Sequence, residues 1–374
     1  MRLCAPLCVL AWAASGFGGQ PGAVFTHRVV DEQGPKDPWT KLVGDLDGDG
    51  RPDLIVGGRK GPLVWYQAPD WKRHPIADGG YDTVGGDTGD IDGDGDVDIL
   101  MGGLVWFENP GDLARSPNRP WRRNVIADHS THDAQLADFD GDGKLDAVTR
   151  DQSDFGTKRG NRVHVWLQRP AGPWAETVLE CEHGEGIAAA DLDGDGDPDV
   201  ILGGLWFETV REAGAVRWTP HPYGEFRGGA SVAVGDFNGD GRRDIVLAPS
   251  ELAGQRDRVA WFEAPRDARS PGWREHGIAA DVERVFHSLA VADMDGDGRD
   301  DVVFAEMHQG EDPDEVGFFV NLGRGRNWRK QVVATTGSHC LRAADLDRDG
   351  DIDLFGANWS GPRQPVEIWE NRRR

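Results

Sequence analysis

The nine residues Asp45-Leu46-Asp47-Gly48-Asp49-Gly50-Arg51-Pro52-Asp53 constrain this chain more than any other feature. They read D-x-D-G-D-G-x-x-D. Carboxylates at positions one, three, five and nine can converge on one point. The two glycines let the backbone turn tightly, and the carbonyl at position seven can add a further oxygen. All-oxygen ligation on a short loop suits a hard cation, and favours Ca²⁺ over a transition metal. The stretch returns six times. The seven loops begin at Asp45, Asp90, Asp138, Asp191, Asp236, Asp293 and Asp345, 45 to 57 residues apart. That period, with β-rich content, marks one propeller blade per repeat.

The expected Ca²⁺ ligands are Asp45, Asp47, Asp49 and Asp53 in repeat one, and Asp90, Asp92, Asp94 and Asp98 in repeat two. Repeat three offers Asp138, Asp140, Asp142 and Asp146; repeat four offers Asp191, Asp193, Asp195 and Asp199. Repeat five offers Asp236, Asn238, Asp240 and Asp244, so one ligand is neutral and its site should empty most easily. Repeat six offers Asp293, Asp295, Asp297 and Asp301. Repeat seven keeps Asp345, Asp347, Asp349 and Asp353, although Arg348 replaces the first glycine.

Each repeat has the same order. A small-residue strand enters the loop and a β-branched strand leaves it, as in Asp53-Leu54-Ile55-Val56. A third strand carries an aromatic pair such as Trp65-Tyr66, and a fourth opens on Trp71, Trp121, Trp174, Trp218, Trp273 or Trp328. Repeat seven stops at its third strand, Val366 to Glu370, while an orphan strand, Phe25 to Val30, precedes repeat one. Circular closure solves both problems and leaves no open edge. The expected fold is therefore all-β: one seven-bladed β-propeller of four-stranded blades over residues 22–374, closed by the N-terminal strand completing the last blade.

Seven such loops, each followed by a Val/Ile/Leu strand, resemble the FG-GAP/VCBS repeat family, which includes integrin α-subunit propellers and many secreted bacterial proteins. The resemblance implies a calcium-binding seven-bladed propeller and leaves function open, because the family hosts adhesion, scaffolding and enzymes. More loosely, Gly89 to Gly95 and Thr131-His132-Asp133-Ala134-Gln135 resemble the propeller part of fungal aldos-2-ulose dehydratase and propeller-type polysaccharide lyases.

The formal charge of −24 over 374 residues has its source in the metal loops. Bound Ca²⁺ would offset much of it, and an acidic chain is a poor match for nucleic acid or anionic membranes. Arg2 and the apolar run from Leu3 to Ala14, followed by small residues, read as an export signal over residues 1–20. The expected setting is secreted or periplasmic, for a monomer with no membrane span. Beyond that signal only Cys181 and Cys340 remain, too far apart in a ring for a disulfide.

Six residues before each loop stand Trp39, Val84, His132, Glu185, Ala230, His287 and His339. That register lies at the start of each innermost strand, on the face away from the metal loops. His132, His287, His339 and Glu185 either converge on a central pocket or each bond the neighbouring blade's backbone. Converged, they could supply a general base and acid, or hold one divalent transition metal. Long loops between second and third strands fall on the same face, at Asp151 to Arg162, Pro249 to Arg258, Glu306 to Glu315 and Asn358 to Pro365. They place Arg150, Asp151, Glu251, Glu306, His308 and Asn358 around the pocket, with Arg59 nearby. Among 15 tryptophans only Trp39 and Trp359 fall outside both the strand pattern and the signal. They are candidate platforms for a sugar ring. The leading expectation is a carbohydrate-active lyase or dehydratase acting on a sugar or another small polar ligand. The alternative is a non-catalytic, integrin-like propeller that binds glycan or protein.

Overall fold

The computed structural model describes residues 23–79, 84–129, 131–151, 161–212, 214–226 and 229–373. The expected export segment lies outside them. The described residues form 28 strands in seven antiparallel four-stranded sheets, with no helix among them. Blade one is Pro38–Gly44, Asp53–Gly58, Leu63–Gln67 and Lys72–Ala77, innermost to outermost. The innermost strands touch in the order of the blades, and that of blade seven touches that of blade one.

Blade seven takes Arg342–Ala344, Asp353–Gly356 and Val366–Asn371 from the C-terminal end and its outermost strand, Phe25–Asp31, from the N-terminal end. Phe25 pairs with Asn371, and Asp31 with Val366. The expected closure is therefore present, one residue longer than the sequence suggested. Four of the tryptophans expected to open fourth strands, Trp71, Trp121, Trp174 and Trp273, stand one residue before the strand instead.

The core lies between blades. In blade one, Ile55 and Trp65 pack with Ile99, Met101 and Phe107 of blade two. Leu54, Val56 and Tyr66 pack with Phe355 and Ile368 of blade seven. Successive side chains of a strand point to opposite faces, so one strand serves two interfaces. The same arrangement recurs at the other five junctions. Each fully buried Leu, Ile or Phe there contributes about 1.5–3 kcal/mol.

The aspartate loops join innermost to second strands and are built alike. The N–H of position six donates to the first carboxylate, as Gly50 does to Asp45 Oδ2 at 2.8 Å and Gly350 to Asp345 Oδ2 at 3.1 Å. The ninth carboxylate is buried and accepts two backbone N–H groups. Asp53 takes them from Leu46 at 3.0 Å and Ala68 at 2.8 Å, which ties the third strand to the loop. No disulfide forms between Cys181 and Cys340.

Candidate functional site

The ring register has a structural cause. In blades one, three and six the ladder between innermost and second strands is interrupted at one residue. The interruptions lie between Pro38 and Thr40, between Thr131 and Asp133, and between Phe286 and Ser288. The residue left out of the pairing is Trp39, His132 or His287. A bulge frees one residue from its partner strand and re-aims its side chain. In blades four and seven, Glu185 and His339 stand just ahead of the short strands Ala188–Ala190 and Arg342–Ala344.

These side chains meet. A cavity of about 220 Å³ is lined by Trp39, His132, Glu185, His287, His339 and Trp359, with Glu251, Met307 and Gln309 from the long loops. His132, Glu185 and His287 also line a second cavity of about 240 Å³ along the axis, with Asp133, Ser288 and Cys340 among its walls. They form the floor between mouth and channel. Glu185 Oε2 is 3.7 Å from His132 Nε2 and 3.9 Å from His287 Nε2. His287 Nε2 also lies 3.1 Å from Glu251 Oε1. The His287 ring sits 5.5 Å from that of His132 and stacks on that of His339 at 4.1 Å. Trp359 reaches His339 at 6.0 Å and Trp39 at 5.5 Å, and the Arg59 guanidinium covers Trp39 at 4.4 Å.

The electrostatics split the imidazoles. Burial disfavours the charged form of His132, but Glu185 and Asp133 outweigh it and raise its pKa to about 9. His287 is also raised, against its burial, by hydrogen bonding with Cys340 and Glu251. His339 is held well below the usual imidazole range by burial and by the positive charge of His287 and Lys41. Lys41, wholly buried on the innermost strand of blade one, is itself pushed down to about 7 by burial. Its Nζ donates to the carbonyls of Pro38 and Trp39. The floor therefore carries one neutral imidazole beside two that favour the proton.

Two of the residues expected to touch substrate, Arg150 and Glu306, are turned away from the central pocket. Arg150 is buried, and its guanidinium donates to the carbonyls of Glu182, Glu185 and Gly186, each at 2.9 Å. It holds the Glu185 segment in place instead of facing the pocket. Glu306 lines a separate cavity with Pro313, Trp328 and Lys330, and accepts the Glu315 N–H at 2.7 Å. His308 stands at the rim, 2.7 Å from Ser360 Oγ, its ring 5.7 Å from Trp359. Conversely, Met307 and Gln309 reach the mouth without any signal in the sequence beyond loop length.

The donor sets distinguish two kinds of candidate cation site. Carboxylate oxygens of Asp45, Asp47 and Asp53 lie within 4.8 Å of one another, as do those of Asp90, Asp92 and Asp98. The fifth position stands outside these triads, with Asp49 Oδ1 accepting the Arg51 N–H. Asp45 Oδ1 and Asp295 Oδ1 are buried without a hydrogen-bond partner, whereas Asp193 Oδ2 lies 2.6 Å from Arg269 Nη2. Orphaned oxygens in an all-oxygen set fit Ca²⁺. In the pocket, His132, Glu185 and His287 place donors within 4.8 Å, a fit for a transition metal.

No helix among the described residues is long and apolar enough to cross a membrane. No curated protein matches the chain. Two crystal structures of BBS1N in complex with ARL6DN, one soaked with mercury and one with lead, share its architecture. Each has a TM-score of 0.59 and 12% identity over 95% of this chain and 98% of that chain. At that identity the likeness is one of fold alone. The FG-GAP-like repeat model matches residues 45–101, 138–202 and 293–356, and the FG-GAP repeat model matches residues 228–257. With an aspartate loop in every blade and these matches over more than half its length, the chain belongs to the FG-GAP repeat family of β-propellers.

Proposed function

We propose that this propeller is an exported, Ca²⁺-stabilised, carbohydrate-active lyase or dehydratase working at the mouth of its central channel. The observation that carries the reading is the pairing of a neutral His339 with proton-holding His132 and His287 around buried Glu185. Titratable neighbours with opposed proton affinities are suited to act as base and acid. His339 takes the proton from a carbon α to a carbonyl or carboxylate. The C–H electron pair becomes a C=C bond, and the β C–O bond breaks. His132 gives its proton to the departing oxygen. His287, stacked on His339 and edge-on to His132, returns the proton from one to the other. Trp39 and Trp359 supply faces for a sugar ring, and Arg59 supplies positive charge for a carboxylate.

The test is turnover by the Ca²⁺-loaded protein on uronate polysaccharides and keto sugars, read as ultraviolet absorbance of the new conjugated double bond. His339→Ala should lower kcat by about 10²–10⁴-fold, the usual range for a lost general base. Equal turnover by His339→Ala and wild type would sink the assignment. Should a divalent metal at His132, Glu185 and His287 do this work instead, activity would require its addition after stripping. The competing reading is a binding propeller, favoured by the protein partner in the BBS1N crystals. It predicts glycan or protein capture with no new absorbance, unchanged by His339→Ala.

A further inference from the structure

Blade three carries a second donor cluster that the central pocket does not use. His129 lies just ahead of the innermost strand Thr131–Ala137. Asp151 ends the second strand, Asp146–Asp151, and His164 lies on the third, Arg162–Leu167. His129 Nε2 is 2.7 Å from Asp151 Oδ1, and His164 Nε2 is 3.0 Å from the same oxygen. The two rings are 4.3 Å apart, and the three donor atoms all lie within 4.8 Å of one another.

The orientation of His164 gives this grouping its meaning. His164 Nδ1 is 2.6 Å from Glu176 Oε1, and an ionised carboxylate can only accept. Nδ1 therefore carries a proton, and Nε2 faces Asp151 Oδ1. Nε2 is buried and, although 3.0 Å from that oxygen, makes no well-aligned hydrogen bond with it. The two atoms are free to share a cation instead. A carboxylate that accepts from the far nitrogen of an imidazole is also the usual orienting partner of a metal-bound histidine. Arg162 occupies only the other oxygen, Asp151 Oδ2, at 3.1 Å, and leaves Oδ1 to the cluster. Blades four and five show the contrast. There His221 pairs with Glu208 and His276 with Glu263, each at 2.8 Å, as single imidazole–carboxylate contacts over Trp206 and Trp261. Blade three alone of these adds a second imidazole and an aspartate.

We propose that His129 Nε2, His164 Nε2 and Asp151 Oδ1 bind one zinc-class divalent cation. Two imidazoles and one carboxylate suit Zn²⁺ or Co²⁺ and disfavour Ca²⁺, which takes oxygen. Bonds of about 2.0–2.2 Å need ligand atoms roughly 3.3 Å apart, so the two imidazole–carboxylate spacings of 2.7 and 3.0 Å would open by about 0.6 and about 0.3 Å. The His129 side chain is 25% exposed against 3% for His164, so the fourth position opens toward solvent on the His129 side. The cation would tie the segment before the innermost strand to the second and third strands of the blade.

The experiment uses full-length protein stripped of metal, reloaded with excess Ca²⁺, then titrated with Co²⁺. Visible d–d absorbance reports tetrahedral Co²⁺, and calorimetry counts the equivalents. One tight equivalent is expected, lost in Asp151→Asn and His164→Ala, and weakened about 10–100-fold in the conservative Glu176→Gln. It should survive in the His132→Ala/His287→Ala double variant. Should His164→Ala fail to fold, the more exposed His129→Gln serves in its place. The proposal is overturned if no Co²⁺ binds once Ca²⁺ is saturating. It is equally overturned if the equivalent persists in Asp151→Asn and vanishes in the double variant.

Discussion

Gly186 has φ 88°, and a Cβ there would stand 1.8 Å from the Ala230 carbonyl oxygen. Its N–H donates to Asp133 Oδ2 at 2.9 Å, and its carbonyl accepts from Arg150. The residue thus sets where Glu185 points from the wall of the axial cavity. Gly186→Ala combines a left-handed backbone with a steric overlap, so it should cost at least about 2 kcal/mol of stability. If it folds, kcat/KM should fall about 10²-fold through a displaced Glu185. Melting and turnover measured together check this, and unchanged values for both would refute the positioning role. At this scale the sequence was legible wherever a residue repeats its role from blade to blade. His132, His287 and Trp39 were found by counting back from the loops, because the same bulge recurs at the same offset. Arg150, expected at the pocket, is instead buried against backbone carbonyls. Its carbonyl partners come from the next blade, and no local pattern in the sequence marks them.

Among elements, the loop of blade five differs from its siblings by one group. Asn238 Oδ1 accepts the Asp240 N–H at 2.9 Å, as Asp47 Oδ1 accepts the Asp49 N–H at 3.1 Å in blade one. The turn is kept and only the charge is lost. Asn238→Asp should therefore tighten that site about tenfold, roughly 1.4 kcal/mol, without moving the others. A Ca²⁺ titration resolving six tight sites and one weak site in the parent, and seven alike in the variant, would bear this out. A variant isotherm identical to the parent's would count against it. The strands themselves were readable from alternation and from the loop ruler, closing strand included. The exact starts of the fourth strands were not. Trp71, with φ 57°, is turned out of the strand it introduces, and composition carries no trace of that backbone choice. The His129–Asp151–His164 cluster escaped notice for a related reason. Its members come from three neighbouring segments joined only by strand pairing.

Across the whole molecule the seven ninth-position carboxylates behave as a set. In the metal-free protein, burial raises Asp53, Asp98, Asp146, Asp244, Asp301 and Asp353 to about 7, and Asp199 to about 8, from an ordinary 3.8. A carboxylate whose folded pKa stands above its unfolded one stabilises the fold fully below the unfolded value. That contribution is lost as pH rises through the folded value. The metal-free propeller should therefore weaken between about pH 4 and pH 8, and Ca²⁺ should restore it while expelling protons. Calorimetry at pH 7 in buffers of different ionisation heat should show several protons released as the sites fill. Heats independent of buffer would contradict the linkage. The fold as a whole was legible because one loop repeats seven times; the interior of the channel was not, since Lys41 acts on His339 only after the ring closes. That closure also decides how the molecule would respond to tension. Phe25 lies opposite Asn371, and the Arg372 N–H donates to the Val24 carbonyl at 2.6 Å, so both ends leave from the same corner of one blade. A pull on the two ends would load one residue pair at a time, like a zipper opened from its tab. The ring would part at a small force there, while each of the other blades would have to be sheared from its neighbours across a packed interface.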